Sequence, residues 1–243
     1  MFAHFPLASV RCGTSVLIFC TIAVISSGAF ALQSDLVKAR DHQDLAVLDK
    51  LIAHYKANLQ DHSGSAEAQY QLALAYSYAA EVAMEVHDKK RSEAYAEAGI
   101  DPARSAASSQ AGNAEFHRLL GELCAQIIPA NPFFGALKYG QCARDEIDKA
   151  IELNKKLALA YVSRGVGNYY LPQQMGGGTE VALRDIDKAI FVDPNLAEAY
   201  LWKGVTLRKA GRNAEARQAL ERAMQLDPER VWIKEQLAKT PPQ

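Results

Sequence analysis

The sequence predicts an all-α solenoid of about four helix–turn–helix units, with inserted segments and a helical cap at each end. Three observations carry that reading. Four stretches opening at Ala66, Ala114, Ala158 and Ala197 read as the same unit. Each sets small residues against large apolar ones at matching positions. The last two close on Asp193-Pro194 and Asp227-Pro228, where the residue before proline avoids the helical region and stops a helix.

The unit at Ala197 is the cleanest. It runs 34 residues to Arg230, with small Gly204, Ala216 and Ala223 and larger Tyr200, Leu207 and Leu220. This pattern resembles the tetratricopeptide repeat (TPR), a helix–turn–helix family. The resemblance implies stacked helix pairs that present binding surfaces and seldom supply catalytic groups.

The unit from Ala158 has Tyr161 and Gly165 in its first helix, then Ala182, Ile186 and Ala189 in its second. That from Ala114 has His117, Leu120 and Gly121, then Ala143, Ile147 and Ala150. That from Ala66 has Leu72, Ala73 and Tyr76, then Gly99, Ala103 and Ala106. The small residues let the two helices of a unit cross closely. The starts lie 48, 44 and 39 residues apart, so these three units are longer than the last, and the excess falls between their two helices.

In the first unit, Tyr70, Leu74, Tyr78, Ala80 and Met84 predict a lengthened first helix, and Asp101-Pro102 is read as restarting the second helix as N-cap and N1. In the second, Pro129 to Gly135, with Phe133 and Phe134, breaks the helix. In the third, Leu171 to Gly178 does the same through Pro172, Met175, Gly176 and Gly177. All three insertions are expected on one edge of the stack, where apolar loop residues are recruited for binding. Leu45, Leu48, Leu51, Ile52, Tyr55 and Leu59 make Asp44–Gln60 an amphipathic cap. Trp232, Ile233 and Leu237 make residues 231–239 the cap at the other end.

Residues 1–31 read as a signal peptide. Arg11 precedes the apolar run Val16–Ile25, and Ala29-Phe30-Ala31 offers a small-x-small site cut near Ala31. Two alternatives stay open: a lipid-bearing Cys20, and an anchor retained over Val16–Leu32. All three readings export the chain to the periplasm or cell envelope, as a domain over 32–243. Past Ala31 there are 26 basic and 28 acidic residues, a balance that gives no electrostatic case for nucleic acid or anionic membrane. Two cysteines remain, Cys124 and Cys142, in helices flanking the 129–135 break. A helix hairpin there admits a disulfide worth about 3 kcal/mol, and two buried thiols are the other reading.

Three stretches resemble a narrower group of exported bacterial TPR proteins: Ala66–Met84, Phe116–Pro132 and Gly165–Ile190. The segment Tyr169–Gly178, with its aromatic pair, Pro-Met turn and glycines, is similar to a turn in the T component of periplasmic TRAP transporters. This implies a periplasmic accessory protein, with a solute-binding protein as one partner class.

No HExxH, Cys-x-x-Cys, Gly-x-Ser-x-Gly or P-loop pattern occurs after residue 31, so no catalytic set, metal site or cofactor is expected. His117 is expected to pack. The expected function is therefore a non-enzymatic scaffold holding a protein or peptide partner, with a transport-accessory or small-solute-binding role as the alternative. In TPR stacks the first helices line the groove. The candidates are Tyr70, Leu74 and Tyr78, then Arg118 and Glu122, then Val162, Val166, Tyr169 and Tyr170, then Leu201, Val205, Arg208 and Lys209. The alternative for the tyrosines is packing against neighbouring repeats or inserted segments. Oligomeric state is not legible.

Overall fold

A computed structural model describes residues 32–62 and 64–241, so the expected signal peptide lies outside the described residues. By its contacts the chain divides into Met1–Asp35 and Leu36–Gln243. The second unit begins with helical residues 36–41 (α1). There follow α2 (Leu45–Asp61), α3 (Ala66–Glu85), α4 (Lys89–Ser109), α5 (Ala114–Ala130) and α6 (Pro132–Leu153). Next come α7 (Ala158–Tyr170), α8 (Thr179–Val192), α9 (Ala197–Lys209), α10 (Asn213–Leu226) and α11 (Val231–Ala238). No strand occurs among the described residues.

Local chemistry explains where the early helices start. The side chains of Asp44, Ser65, Asp88 and Asn113 accept hydrogen bonds from free amide N–H groups of the first turns of α2, α3, α4 and α5. Each start of a unit read from the sequence is the first residue of a helix: Ala66, Ala114, Ala158 and Ala197.

Pairing within units is tight. A Cβ on Gly121 would lie 2.9 Å from the Ile147 amide nitrogen, and one on Gly204 would lie 3.0 Å from the Ala216 carbonyl oxygen. Only a missing side chain admits that approach. First helices also pack on one another in sequence, α3 on α5, α5 on α7 and α7 on α9, and second helices do so far less. Stacking closer on one side than on the other bends the solenoid, with first helices on the concave face. At the two ends α2 packs on α3, and α11 packs on α9 and α10.

Two expectations need correction. Asp101-Pro102 restarts nothing, because α4 begins at Lys89 and runs through Pro102. A proline inside a helix costs about 3 kcal/mol. Here the buried flank Gly99, Ile100, Ala103 and Ala106, facing Tyr76 and Leu123, holds the helix together across it. The second insertion is not a loop either. Pro129 sits in the last turn of α5, only Asn131 lies outside a helix, and Phe133 and Phe134 belong to the first turn of α6. Pro132 takes N1, where its lost N–H has no helical partner to lose. The third insertion is a true loop around a 3₁₀ turn at Gln173–Met175.

Cys124 and Cys142 form a disulfide between α5 and α6, with Cα atoms 6.0 Å apart and a separation of 18 positions in sequence. Replacing both by serine is expected to lower unfolding free energy by about 3 kcal/mol in urea titration. Reductant should reproduce that loss in the unsubstituted chain, and an unchanged midpoint on reduction would refute the bond. Gly121→Ala should cost about 1–3 kcal/mol by overpacking. Gly140→Ala in α6, with nothing within 4 Å of the added carbon, should stabilise by up to about 1 kcal/mol.

Candidate functional site

The concave face is built from one stripe of each first helix, and hydrogen bonds tie the stripes together. In α3 the stripe includes Tyr70, Ser77, Tyr78, Glu81 and Glu85, and in α5 it includes Glu115, Arg118, Glu122 and Gln126. Glu122 is the hub. It accepts from Ser77 of α3 at 3.0 Å and from Ser163 of α7 at 2.8 Å, and it pairs with Arg118 one turn earlier. Arg118 also grips Glu115 through two N–H donors at 2.7 and 2.6 Å, and the Tyr70 hydroxyl donates to Glu115 at 3.1 Å.

Aromatic rings form a second wall where α7, α9 and α11 meet. Tyr169 and Tyr170 stand edge to face at 4.9 Å, Tyr169 lies 5.8 Å from Trp202, and Trp202 lies 5.4 Å from Trp232. Lys209 caps this wall, its ammonium 3.9 Å from the Tyr169 ring centre and 2.6 Å from the Tyr169 carbonyl oxygen. Tyr170 remains 41% exposed. Desolvation pushes its hydroxyl up to about 12, so the ring is a neutral donor at physiological pH.

The predicted groove residues separate into two sets. Tyr70, Tyr78, Glu122, Val166, Tyr169 and Arg208 are half-buried, while Tyr170 and Lys209 are exposed. Leu74, Val162, Leu201 and Val205 are buried among helices and present no open surface, and Arg118 is buried under its carboxylates. Arg208 is turned to the chain's end, donating to the Gln236 carbonyl at 2.9 Å. On the inserted segments Phe133, Phe134 and Met175 are exposed, at 75, 66 and 65%. Pro172 and Gly176 are also exposed, and Gly177 is buried against Leu171.

The largest surprise is at the ends of the stack. Arg230, 1% exposed, reaches back across the fold to its beginning. It donates to the Arg40 carbonyl of α1 at 2.8 Å and to Glu81 of α3 at 2.7 Å, and it pairs with Glu85 of α3. Its Nε lies 3.8 Å from Asp41. At the surface beside it His42 lies 3.5 Å from Glu229. Across the same gap, Glu198 of α9 accepts from Trp202 at 2.7 Å and feels the charges of Glu81, Arg230 and Arg40. Burial pushes Glu85 up to about 8 and Glu198 up to about 7, with Glu81 adding to both. The superhelix is thus closed on itself by ion pairs between residues 145 or more apart. Sequence reasoning missed this. The available signal was two glutamates one turn apart, Glu81 and Glu85, on a helix whose only other charge is Glu67.

His117 is buried with Nδ1 2.5 Å from Glu146 and Nε2 3.0 Å from the Ala111 carbonyl, so both ring nitrogens face acceptors. It borders an open cavity of about 330 Å³ between α4, α5 and α6, with Arg104, Glu146 and Lys149 on its walls. No cluster of metal-ligating side chains occurs among the described residues. The concave network itself is testable. Arg118→Met should destabilise the fold by about 3–5 kcal/mol, because Glu115 and Glu122 lose their shared cation in a poorly solvated wall. A midpoint within experimental error of the unsubstituted protein would show that the wall tolerates bare carboxylates.

Known proteins place this architecture. The thermophilic TPR protein TTC0263 of Thermus thermophilus superposes with a TM-score of 0.61 at 15% identity, covering 86% of this chain and 98% of that one, which shows the fold alone. YrrB, a TPR protein described as having an unusual peptide-binding site, gives 0.42 at 20% identity over 80% of this chain and 84% of its own. No curated protein matches in sequence. The transport-accessory reading of Tyr169–Gly178 draws no support from these matches. A tetratricopeptide repeat model matches residues 197–240, over the last unit and its cap. A family model described as regulator of microtubule dynamics protein 1–3 matches residues 32–172, more than half of the sequence. The chain belongs to that family, the regulators of microtubule dynamics 1–3.

Proposed function

We propose that the protein is a non-catalytic scaffold that holds a protein or peptide partner against its concave face. The observation that carries this is the aromatic wall of Tyr169, Tyr170, Trp202 and Trp232, part exposed on the inner side of a TPR stack. Rigid aromatic side chains supply large contact area at low entropy cost and dominate protein interfaces. The family description speaks of regulators, and a regulator without a catalytic set acts through binding. That supports the same reading. The N-terminal pattern supports work outside the cytoplasm after export, and a Cys124–Cys142 disulfide suits an oxidising compartment.

The test is photo-crosslinking from position 170 in cell-envelope extract of the source organism, followed by affinity measurement with each captured protein. Tyr169→Ala with Tyr170→Ala should weaken binding at least about tenfold. Phe191→Ala, an exposed apolar residue of α8 away from this wall, should leave it unchanged. A partner bound equally well by both variants would remove the aromatic wall from the reading.

A further inference from the structure

We propose that Arg230 is a releasable latch: its seat between α1 and α3 holds the concave face closed, and partner binding requires the seat to be vacated. The inference rests on the scaffold reading above and adds its regulation. Three observations lead to it.

The first is geometry. Both ends of the stack meet at one side chain, with Arg230 from the head of α11 donating to Arg40, Glu81 and Glu85. A solenoid whose ends are joined cannot widen its concave face, because widening needs first helices to fan apart. The aromatic wall lies beside the join, since Trp232 is two residues from Arg230 and Trp202 donates to Glu198.

The second is that the join is polar. Beside the Arg230 seat, Arg40 lies 4.0 Å from Asp227 and His42 lies 3.5 Å from Glu229, the last two side chains 54 and 73% exposed. Within each unit, by contrast, helices are locked by close apolar contact. A joint held by ion pairs regains hydration of its charges as it separates, and local openings follow polar seams.

The third is charge balance. The groups facing one another are Arg40 and Asp41 of α1, Glu81 and Glu85 of α3, Glu198 of α9, and Asp227 and Arg230 ahead of α11. Neutral Gln43 donates to Glu85 at 3.0 Å, and His42 lies beside Glu229 at the rim. With Glu85 and Glu198 protonated, two guanidinium groups face three carboxylates, and with both ionised two face five. Their raised values place that change between about 7 and 8. The sign follows: both acids sit above their ordinary range in the closed form. Closure is therefore strongest within or below the ordinary carboxylate range, weakens as pH rises from there through about 7 to 8, and is constant above.

Spin labels at His42→Cys and Glu229→Cys report the join directly, in the full chain with Cys12→Ser and Cys20→Ser. At pH 6 the pair should show one short distance. Between pH 6 and 9 a second, longer population should grow by about tenfold, and Arg230→Ala should show it at both pH values with helical content retained. A single short distance for Arg230→Ala, or no change from pH 6 to 9 in the chain carrying Arg230, would overturn the latch. If Arg230→Ala loses its helicity, the pH series alone decides. Oxidising the two introduced cysteines to a disulfide gives a locked form for crosslinking at position 170. Capture by the open form and not the locked one supports the latch, and equal capture by both overturns it. Distances that change as expected while neither form captures a protein would keep the opening and sink the scaffold reading.

Discussion

Close approach of two helices within each unit is the constraint on which the remaining structure depends. Where Gly121 meets Ile147 and Gly204 meets Ala216, backbone lies almost against backbone. That spacing makes every helix pair a thin, rigid wedge. Wedges stacked by their first helices bend the chain, and the bend gives it an inner face. If the pairs were wider by a methyl group each, the crossing would shift and the two ends of the stack would not meet.

The inner face is polar where a simple packing argument makes it apolar. On a tightly curved stack, first helices face one another across a narrow space as well as along the stack. Side chains such as Glu122 then satisfy partners on three helices at once. Hydrogen bonds in such surroundings are stronger than in water and costly to leave unmade, so the network fixes the angle between successive units more sharply than apolar contact would. The aromatic wall around Trp202 is the part of this face left without a complete polar lattice.

Much of this was legible in the residues. Repeat starts and the glycine and alanine crossings depend on contacts within about one unit, where spacing carries the information. Helix phase, by contrast, left Cys124 and Cys142 open between a disulfide and two buried thiols. Pro102 and Pro129 misled for a physical reason: the rule that proline ends helices is local, and burial of neighbouring residues overrode it. The groove was half legible. Helical phase placed Tyr70, Glu122 and Tyr169 inward, yet it could not separate them from Leu74 and Val162, which are buried between helices. Arg230 was out of reach. Its partners are fixed by the summed curvature of all the units, and no single spacing in the sequence encodes that sum.

The two tryptophans of the chain are Trp202 and Trp232, and both stand on the same inner wall. Indole emission from this protein is therefore light from one place. Trp202 Nε1 is bonded to Glu198, and Trp232 follows Arg230 by two residues. The molecule thus has a built-in optical probe of its own interior, one that responds to whatever enters or leaves the concave face and stays silent about the outer helices.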